Sequence, residues 1–375
     1  MNTDLSKVKT IVVKIGTSLL TGPTGFDGRI LEELVKELCA LKSERNLNVL
    51  VVSSGAIGCG MTTLGLKERP KLLPLKQATA AVGQANLMHY YETLFRTYGD
   101  GIRSAQVLLS ASDLDNRETY LNIRNTLHTL FTLRNVIPIV NENDSVAIEE
   151  LKFGDNDTLA ARVAAKIGAD ILIILSNVDG LYDTDPRRNS EAHLIPQVDK
   201  ITPELEALAG DTAEQTSVGG MVTKLMAARI ACAAQVRTII ANGRRPGIIR
   251  DTLSGHGVGT TFYSSRETLS HRKRWIAFGR SSRGTIYIDD GAKTALLRQG
   301  RSLLAAGIKE VEGEFRVGDS VRITDTQRND IARGLVNYSS EDVDRIKGCK
   351  SSQIESILGR KDFDEVVHRN NMVLL

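Results

Sequence analysis

The sequence predicts an α/β protein: an αβα sandwich around a mainly parallel central sheet, followed by a small, barrel-like β domain. Three observations predict it. Short β-branched runs alternate with segments of helical period from the N-terminus to about Ala241, the pattern of βαβ units. Several of these runs are apolar at nearly every position, as strands covered by helices on both faces are. After Gly259 the pattern changes to short strand-like segments punctuated by glycines, which fits a small closed β module.

In chain order, strands are expected at Lys9 to Ile15, Val49 to Val52, Ala105 to Leu109, Val136 to Val140, Ile171 to Leu175 and Val236 to Ala241. Between the first two, Arg29 to Glu44 carries Ile30, Leu31, Leu34, Leu38 and Leu41 at spacings of three and four, so one face of a helix is buried. A helix over Thr158 to Ile167 ends at Gly168, with Asp157 placed to cap it. Another opens after glycines and runs through Met226, Ala227 and Ile230. The polar, basic stretch Ser264 to Arg274 reads as a boundary. We therefore expect a first domain over residues 1–262, a linker over 263–274 and a second domain over 275–375, with strands at Thr285 to Ile288, Ser320 to Ile323 and Leu335 to Tyr338.

Bulk properties exclude several classes. A chain of 375 residues exceeds the usual single-core limit, and 41% hydrophobic with 25% charged residues is ordinary globular composition. The longest apolar runs are strand-sized, far short of the roughly 20 residues that span a bilayer, so no membrane association is expected. The N-terminal stretch lacks the apolar core of a secretion signal, which points to the cytoplasm. Cys39, Cys59, Cys232 and Cys349 have neither disulfide-framework nor zinc spacing. A net charge of +3 does not by itself call for nucleic acid. The six histidines stand singly, which argues against triad and metal-hydrolase chemistry.

Four constellations carry chemistry. Lys14-Ile-Gly-Thr-Ser18 ends an apolar strand, where a lysine can hold phosphate, Gly16 lets the backbone approach, and Thr17 and Ser18 add donors. Val51 to Gly60 runs a buried strand into a glycine-rich turn, where Ser54 and the amides of Gly55 and Ala56 can form an anion nest. Asn141-Glu-Asn-Asp144, with Phe153-Gly-Asp-Asn-Asp-Thr158 close behind, gathers the amide and carboxylate groups that suit a zwitterionic ligand. Ser217 to Lys224 places glycines before a helix with Thr223 and Lys224 in its first turn, a phosphate site made of dipole, amides and ammonium. Each has a plainer reading taken alone: a strand-capping lysine, a packing turn, turn chemistry at Asp144 and Asn156, a helix cap at Asp157, an exposed helix lysine at Lys224. P-loop and dinucleotide-fold glycine spacings are absent. Two lysines from distant segments, a strand-end serine and clustered acids together suit phosphoryl transfer, which asks mainly for positioning and charge neutralisation.

The motifs VVKIGTS (12–18), VSSGAIGCG (52–60), AAVGQ (80–84), VNENDSV (140–146), FGDNDTLAA (153–161), GLYDTDPR (180–187) and VGGMVTK (218–224), in that order, resemble the amino acid kinase family. The tail resembles a PUA domain. The match spans essentially the whole chain and is nearest to the branch that phosphorylates the glutamate side chain in the first step of proline synthesis. The resemblance implies that Lys14 and Lys224 bind the ATP phosphates and stabilise the transferring group, with Asp157 orienting the lysines. It implies glutamate at Ser54, Gly55, Asp144 and Asn156. It implies ATP at Lys14, Gly16, Ser176, Asn177, Val218, Gly219, Gly220, Met221, Val222, Thr223 and Lys224, with GLYDTDPR beside the adenine. Ser176-Asn177 departs from the Thr-Asp common in the family, which bears on adenine or ribose contact. The family also implies Mg²⁺ carried chiefly by the phosphates, L-proline as feedback inhibitor and a homo-oligomer.

Competing readings remain at this level. Aspartate and N-acetylglutamate kinases share the fold and the phosphate lysines. They are set apart by the tail, since aspartate kinases carry other regulatory domains and N-acetylglutamate kinases generally stop after the kinase domain. RNA binding by the arginine-bearing tail is the reading from a different class.

Overall fold

The computed structural model describes residues 8–22, 25–115, 117–146, 156–186, 189, 191–210, 220–255, 257–263 and 282–374. The chain divides into two compact units, Met1–Glu267 and Thr268–Leu375. The stretch 264–274, expected as linker, lies outside the described residues.

The first unit runs β1 (Thr10–Ile15), α1 (Thr17–Leu20), the hairpin β2 (Thr21–Gly22) and β3 (Gly25–Phe26), α2 (Arg29–Arg45), β4 (Asn48–Ser53), α3 (Ala56–Leu64) and α4 (Leu73–Tyr98). It continues through β5 (Arg103–Leu109), α5 (Ala111–Asp115), α6 (Arg117–Thr132), β6 (Val136–Glu142), α7 (Asn156–Ile167), β7 (Ile171–Ser176) and β8 (Gln197–Val198). It closes with α8 (Pro203–Gly210), α9 (Met221–Ala233), β9 (Arg237–Asn242), α10 (Ile248–Ser254) and β10 (Thr260–Phe262). The eight strands of the main sheet lie in the order β5-β6-β4-β1-β7-β9-β10-β8. β5 to β9 in that order are parallel, and β10 runs antiparallel to β9. Every expected strand of this unit is present.

The local sequence explains the elements. On α2, Leu31, Leu34, Val35, Leu38 and Leu41 are buried, a helical stripe that closes one face of the sheet. The helix ends where Asn46 takes a left-handed conformation and donates its N–H to Lys42 O. Gly168, at φ 68°, ends α7. One face of the sheet, with Ile11, Val13, Ile15, Val49, Val51, Ile171 and Ile173, packs with Leu34, Leu38, Leu87, Tyr91 and Phe95 of α2 and α4. The helices α3 and α4 cross in close contact because Gly60 and Gly83 carry no side chain: a Cβ on Gly83 would fall inside the Ala56 carbonyl and the Gly60 amide.

The second unit contains β11 (Gly284–Ile288), α11 (Asp290–Gln299), β12 (Ile308–Gly313), β13 (Ser320–Asp325), β14 (Asp330–Leu335), α12 (Ser340–Ile346), α13 (Ile354–Leu358) and β15 (Met372–Leu374). Its sheet order is β12-β11-β13-β14-β15, with β11 and β13 parallel and the other pairs antiparallel. The strand expected at Leu335 to Tyr338 is corrected to β14, Asp330–Leu335. Val336 and Tyr338 mimic strand alternation, but they are buried core residues of the connection that follows, where the Asn337 N–H bonds Val366 O. Asp330 and Arg333 gave the true strand a polar look.

Candidate active site

β1 lies between β4 and β7, so the chain leaves the sheet on one side of β1 and returns on the other. Parallel sheets bind ligands at such a point, beyond the strand C-termini. Register brings the ends together, with Ile15 opposite Ser53 on β4 and Leu175 on β7. Strand alternation then sorts the side chains. Ile11, Val13 and Ile15 join the α2/α4 core, and Lys14 projects to the opposite face, where α7 and α9 pack.

There it meets Asp157. Lys14 Nζ stands 2.5 Å from Asp157 Oδ1. Lys224 Nζ, from the first turn of α9, stands 3.1 Å from Oδ2, and Thr223 Oγ1 donates to the same oxygen at 3.1 Å. All three charged side chains are buried. Asp157, expected from its neighbours to cap a helix and from the family resemblance to orient the lysines, sits in the first turn of α7, which begins at Asn156, and its carboxylate is shared by the lysines. Buried charges persist only when paired in this way.

Beside this cluster lies a neutral one. Asn156 Nδ2 donates to Ser54 Oγ (2.9 Å), Ser53 O (3.2 Å) and Asn141 Oδ1 (3.0 Å). Asn141 Nδ2 donates to Gln84 Oε1 of α4 at 2.8 Å. A second chain reaches the same turn from α4: the fully buried Tyr91 hydroxyl donates to Ser53 Oγ (2.8 Å), which donates to Ser54 O (2.9 Å). Burial pushes the Tyr91 phenol well above its ordinary range, so it stays a neutral donor. Gly55 has φ 105°, a left-handed conformation that suits glycine, and a Cβ there would touch Leu20 at 3.0 Å. The N-terminus of α3 that it opens has no side-chain cap, leaving its amides for an anion.

On the other side, Gly220 precedes α9 with no side-chain cap, and Met221, Val222 and Thr223 form its first turn. Val218 and Gly219 lie outside the described residues. Ser176 ends β7, with its Oγ 3.4 Å from Asn177 Oδ1. Gly16 follows Lys14, and a Cβ there would stand 3.2 Å from Leu175 O and 3.5 Å from Lys14 Nζ, so the position favours absence of a side chain. Asp144 falls on the turn after β6, on the same edge of the sheet. The structure thus joins Lys14, Asp157, Thr223 and Lys224 directly, joins Ser54 and Asn156 directly, and sets Ser176 and Asn177 at the end of β7 and Asp144 after β6, the two strands that flank the central β4–β1 pair.

Several members of these networks had no assigned role in the sequence. Gln84 and Tyr91 are polar groups on the buried face of a largely apolar helix stripe; Gln84 also closes the AAVGQ motif, which carried the family resemblance without a role for it. Asn242 Nδ2 bonds Asp179 Oδ1 at 3.0 Å, Asp179 Oδ2 accepts from Tyr182 OH at 3.2 Å, and Arg244 Nη2 bonds Ser18 O at 3.1 Å. These contacts follow from strand order, which the sequence does not display. Among the described residues no cluster of three His, Cys, Asp or Glu side chains could hold a metal ion, and no helix is long and apolar enough to cross a membrane.

The chain is similar to known proteins over nearly its whole length. Residues 9–242 match the amino acid kinase family and residues 284–358 match the PUA domain. The chain is 52% identical over 369 residues to a glutamate 5-kinase from Nostoc punctiforme, covering 98% of this chain and 100% of the relative. It is 48% identical over 366 residues to the glutamate 5-kinase of Thermoanaerobacter pseudethanolicus, covering 97% of each. It is 46% identical over 372 residues to that of Geobacter sulfurreducens, covering 99% of each.

Proposed function

The chain belongs to the amino acid kinase family, and from that premise we propose that it transfers the γ-phosphoryl group of ATP to the side-chain carboxylate of L-glutamate, giving L-glutamyl 5-phosphate and ADP, the first step of proline biosynthesis. The observation that carries this reading is Asp157 holding Lys14 and Lys224 by opposite oxygens, next to the Ser54–Asn156 pair. The full-length relatives named glutamate 5-kinase and the PUA match favour glutamate over aspartate or N-acetylglutamate.

In this reaction a glutamate γ-carboxylate oxygen attacks the γ-phosphorus in line. The bond from that phosphorus to the β,γ-bridging oxygen breaks, and its electron pair leaves with ADP. A carboxylate with an ordinary pKa of about 4.3 is already ionised at neutral pH, so no general base is needed. Lys14 and Lys224 neutralise charge on the transferring group, and Asp157 keeps them convergent. The uncapped start of α9, from Gly220 to Thr223, offers amides to the phosphates, with Gly16, Ser176, Asn177, Val218 and Gly219 completing the nucleotide side. Ser54, Gly55, Asp144 and Asn156 hold glutamate. Mg²⁺ would enter with ATP, held chiefly by the phosphate oxygens, and would add to the charge neutralisation that Lys14 and Lys224 provide.

The reading extends to a cytoplasmic homo-oligomer inhibited by L-proline, which rests on the family resemblance. RNA binding by the second unit is the lesser alternative; a salt-dependent shift of labelled RNA would support it. The direct test of the activity is ATP-dependent hydroxylamine trapping with glutamate, aspartate and N-acetylglutamate offered separately. Hydroxamate formed from glutamate alone supports the reading, and formation from either other substrate instead overturns it.

A further inference from the structure

Three side-chain amides stand in line behind the amino acid site: Gln84 on α4, Asn141 near the end of β6, and Asn156 at the start of α7. Backbone groups fix which way Asn156 and Asn141 face. Asn156 Nδ2 donates to the Ser53 carbonyl, which can only accept. Asn141 Oδ1 takes the Glu142 N–H at 2.9 Å, which can only donate. Turning either amide over would set like against like. Asn141 Nδ2 is therefore a donor toward α4, and Gln84 meets it with Oε1.

These constraints leave one acceptor over. Asn156 Oδ1 is buried and takes no hydrogen bond, an uncommon state for a buried polar atom. A buried acceptor suits a ligand donor, and a glutamate zwitterion brings one in its α-ammonium. A site built to bond a substrate N–H rejects analogues that lack it, because the protein group is then left unpaired.

We infer that Gln84, acting through Asn141, is a positioning and specificity-determining residue that holds the Asn156 carbonyl oxygen ready for the α-ammonium of the substrate. The inference rests on the proposed glutamate kinase reading and on Asn156 as a substrate contact. It adds that selection of an amino acid over a plain dicarboxylate of equal length originates in a residue of α4 that does not touch the substrate.

ADP release is measured with glutamate and with glutarate, which lacks the amine. Wild type should prefer glutamate by about 10³-fold or more in kcat/KM. Gln84→Met and Gln84→Leu, which cannot accept from Asn141, should raise KM for glutamate by about tenfold or more, leave KM for ATP within about twofold, and reduce the preference over glutarate by a similar factor. Gln84→Glu still presents an oxygen to Asn141 Nδ2 and should stay within about threefold of wild type. Thermal melts identify which variants fold, and either folded apolar variant decides. An unchanged glutamate KM, equal rises in both KM values, or a Gln84→Glu defect as deep as that of Gln84→Met overturns the inference. Wild type that uses glutarate as well as glutamate overturns it with no variant at all. Wild type that releases no ADP with glutamate fails differently, because it removes the proposed activity itself.

Discussion

Lys14 Nζ lies 2.5 Å from Asp157 Oδ1, with the two side chains 3% and 0% exposed. Lys224 takes the other oxygen. Two ammonium groups converge on one buried carboxylate, which fixes their separation and holds both in a place where an unpaired charge would be costly.

Removing the shared partner should therefore damage both fold and rate. Asp157→Ala leaves two buried lysines without their carboxylate, and stability should fall by about 3–5 kcal/mol in urea denaturation. The rate of hydroxamate formation should fall by about 10²–10³-fold in the folded fraction.

Lys224→Ala tests the phosphate site alone. The expected result is a loss of about 10²–10³-fold in kcat with KM for glutamate little changed, since the Ser54–Asn156 pair does not contact this lysine. A normal kcat would move the phosphate site elsewhere.

Gly83→Ala tests the crossing of α3 and α4. The new methyl would meet the Ala56 carbonyl and the Gly60 amide, backbone atoms that cannot swing aside. A loss of about 3 kcal/mol or more is expected, read as a lower denaturation midpoint or as insoluble protein.

Burial pushes the thiols of Cys39, Cys59 and Cys232 up to about 11, 12 and 11. A raised folded-state pKa means the fold favours the protonated thiol. That contribution is complete below the ordinary thiol value near 9 and is lost as pH rises toward 11 and 12. At pH of about 8, a thiol reagent should therefore react promptly with the partly exposed Cys349 and only slowly with the others. All four cysteines should react once the chain is unfolded.

Chelation separates a metal carried by nucleotide from one built into the protein. EDTA should abolish turnover while leaving the melting temperature of the nucleotide-free enzyme unchanged, because the described residues offer no carboxylate cluster to a metal.

Much of this was legible in the sequence, for physical reasons that also mark where legibility stopped. The six strands expected in the kinase unit stood out mainly where burial on both faces makes a continuous apolar run, as in Ile171 to Leu175. Lys14, Ser54 and Asp157 were readable because each follows or interrupts such a run beside glycine or another polar group. β14 was missed because Asp330 and Arg333 broke its alternation, and the three helices of the second unit were too short for a clear period. Gln84 and Tyr91 could not be read as supports of the site: their meaning depends on α4 crossing behind β4 and β6, a long-range relation that local pattern does not encode. The pairing of Lys14 with Lys224 through Asp157 is equally long-range, and only the family resemblance implied it.

The placement of β1 between β4 and β7 has a consequence for synthesis. A chain made from its N-terminus exposes β1 and can pair it early with β4, yet the other edge of β1 stays open until residues 171–176 have been made. Through that interval the growing protein presents an unpaired, largely apolar strand edge, the feature that most invites mispairing. Lys14 waits on that strand, and Asp157, its ion-pair partner, emerges only shortly before β7 closes the open edge. The step that completes the sheet therefore follows closely on the appearance of Asp157, so the central strand loses its open edge and the buried Lys14 gains its carboxylate at nearly the same point in synthesis.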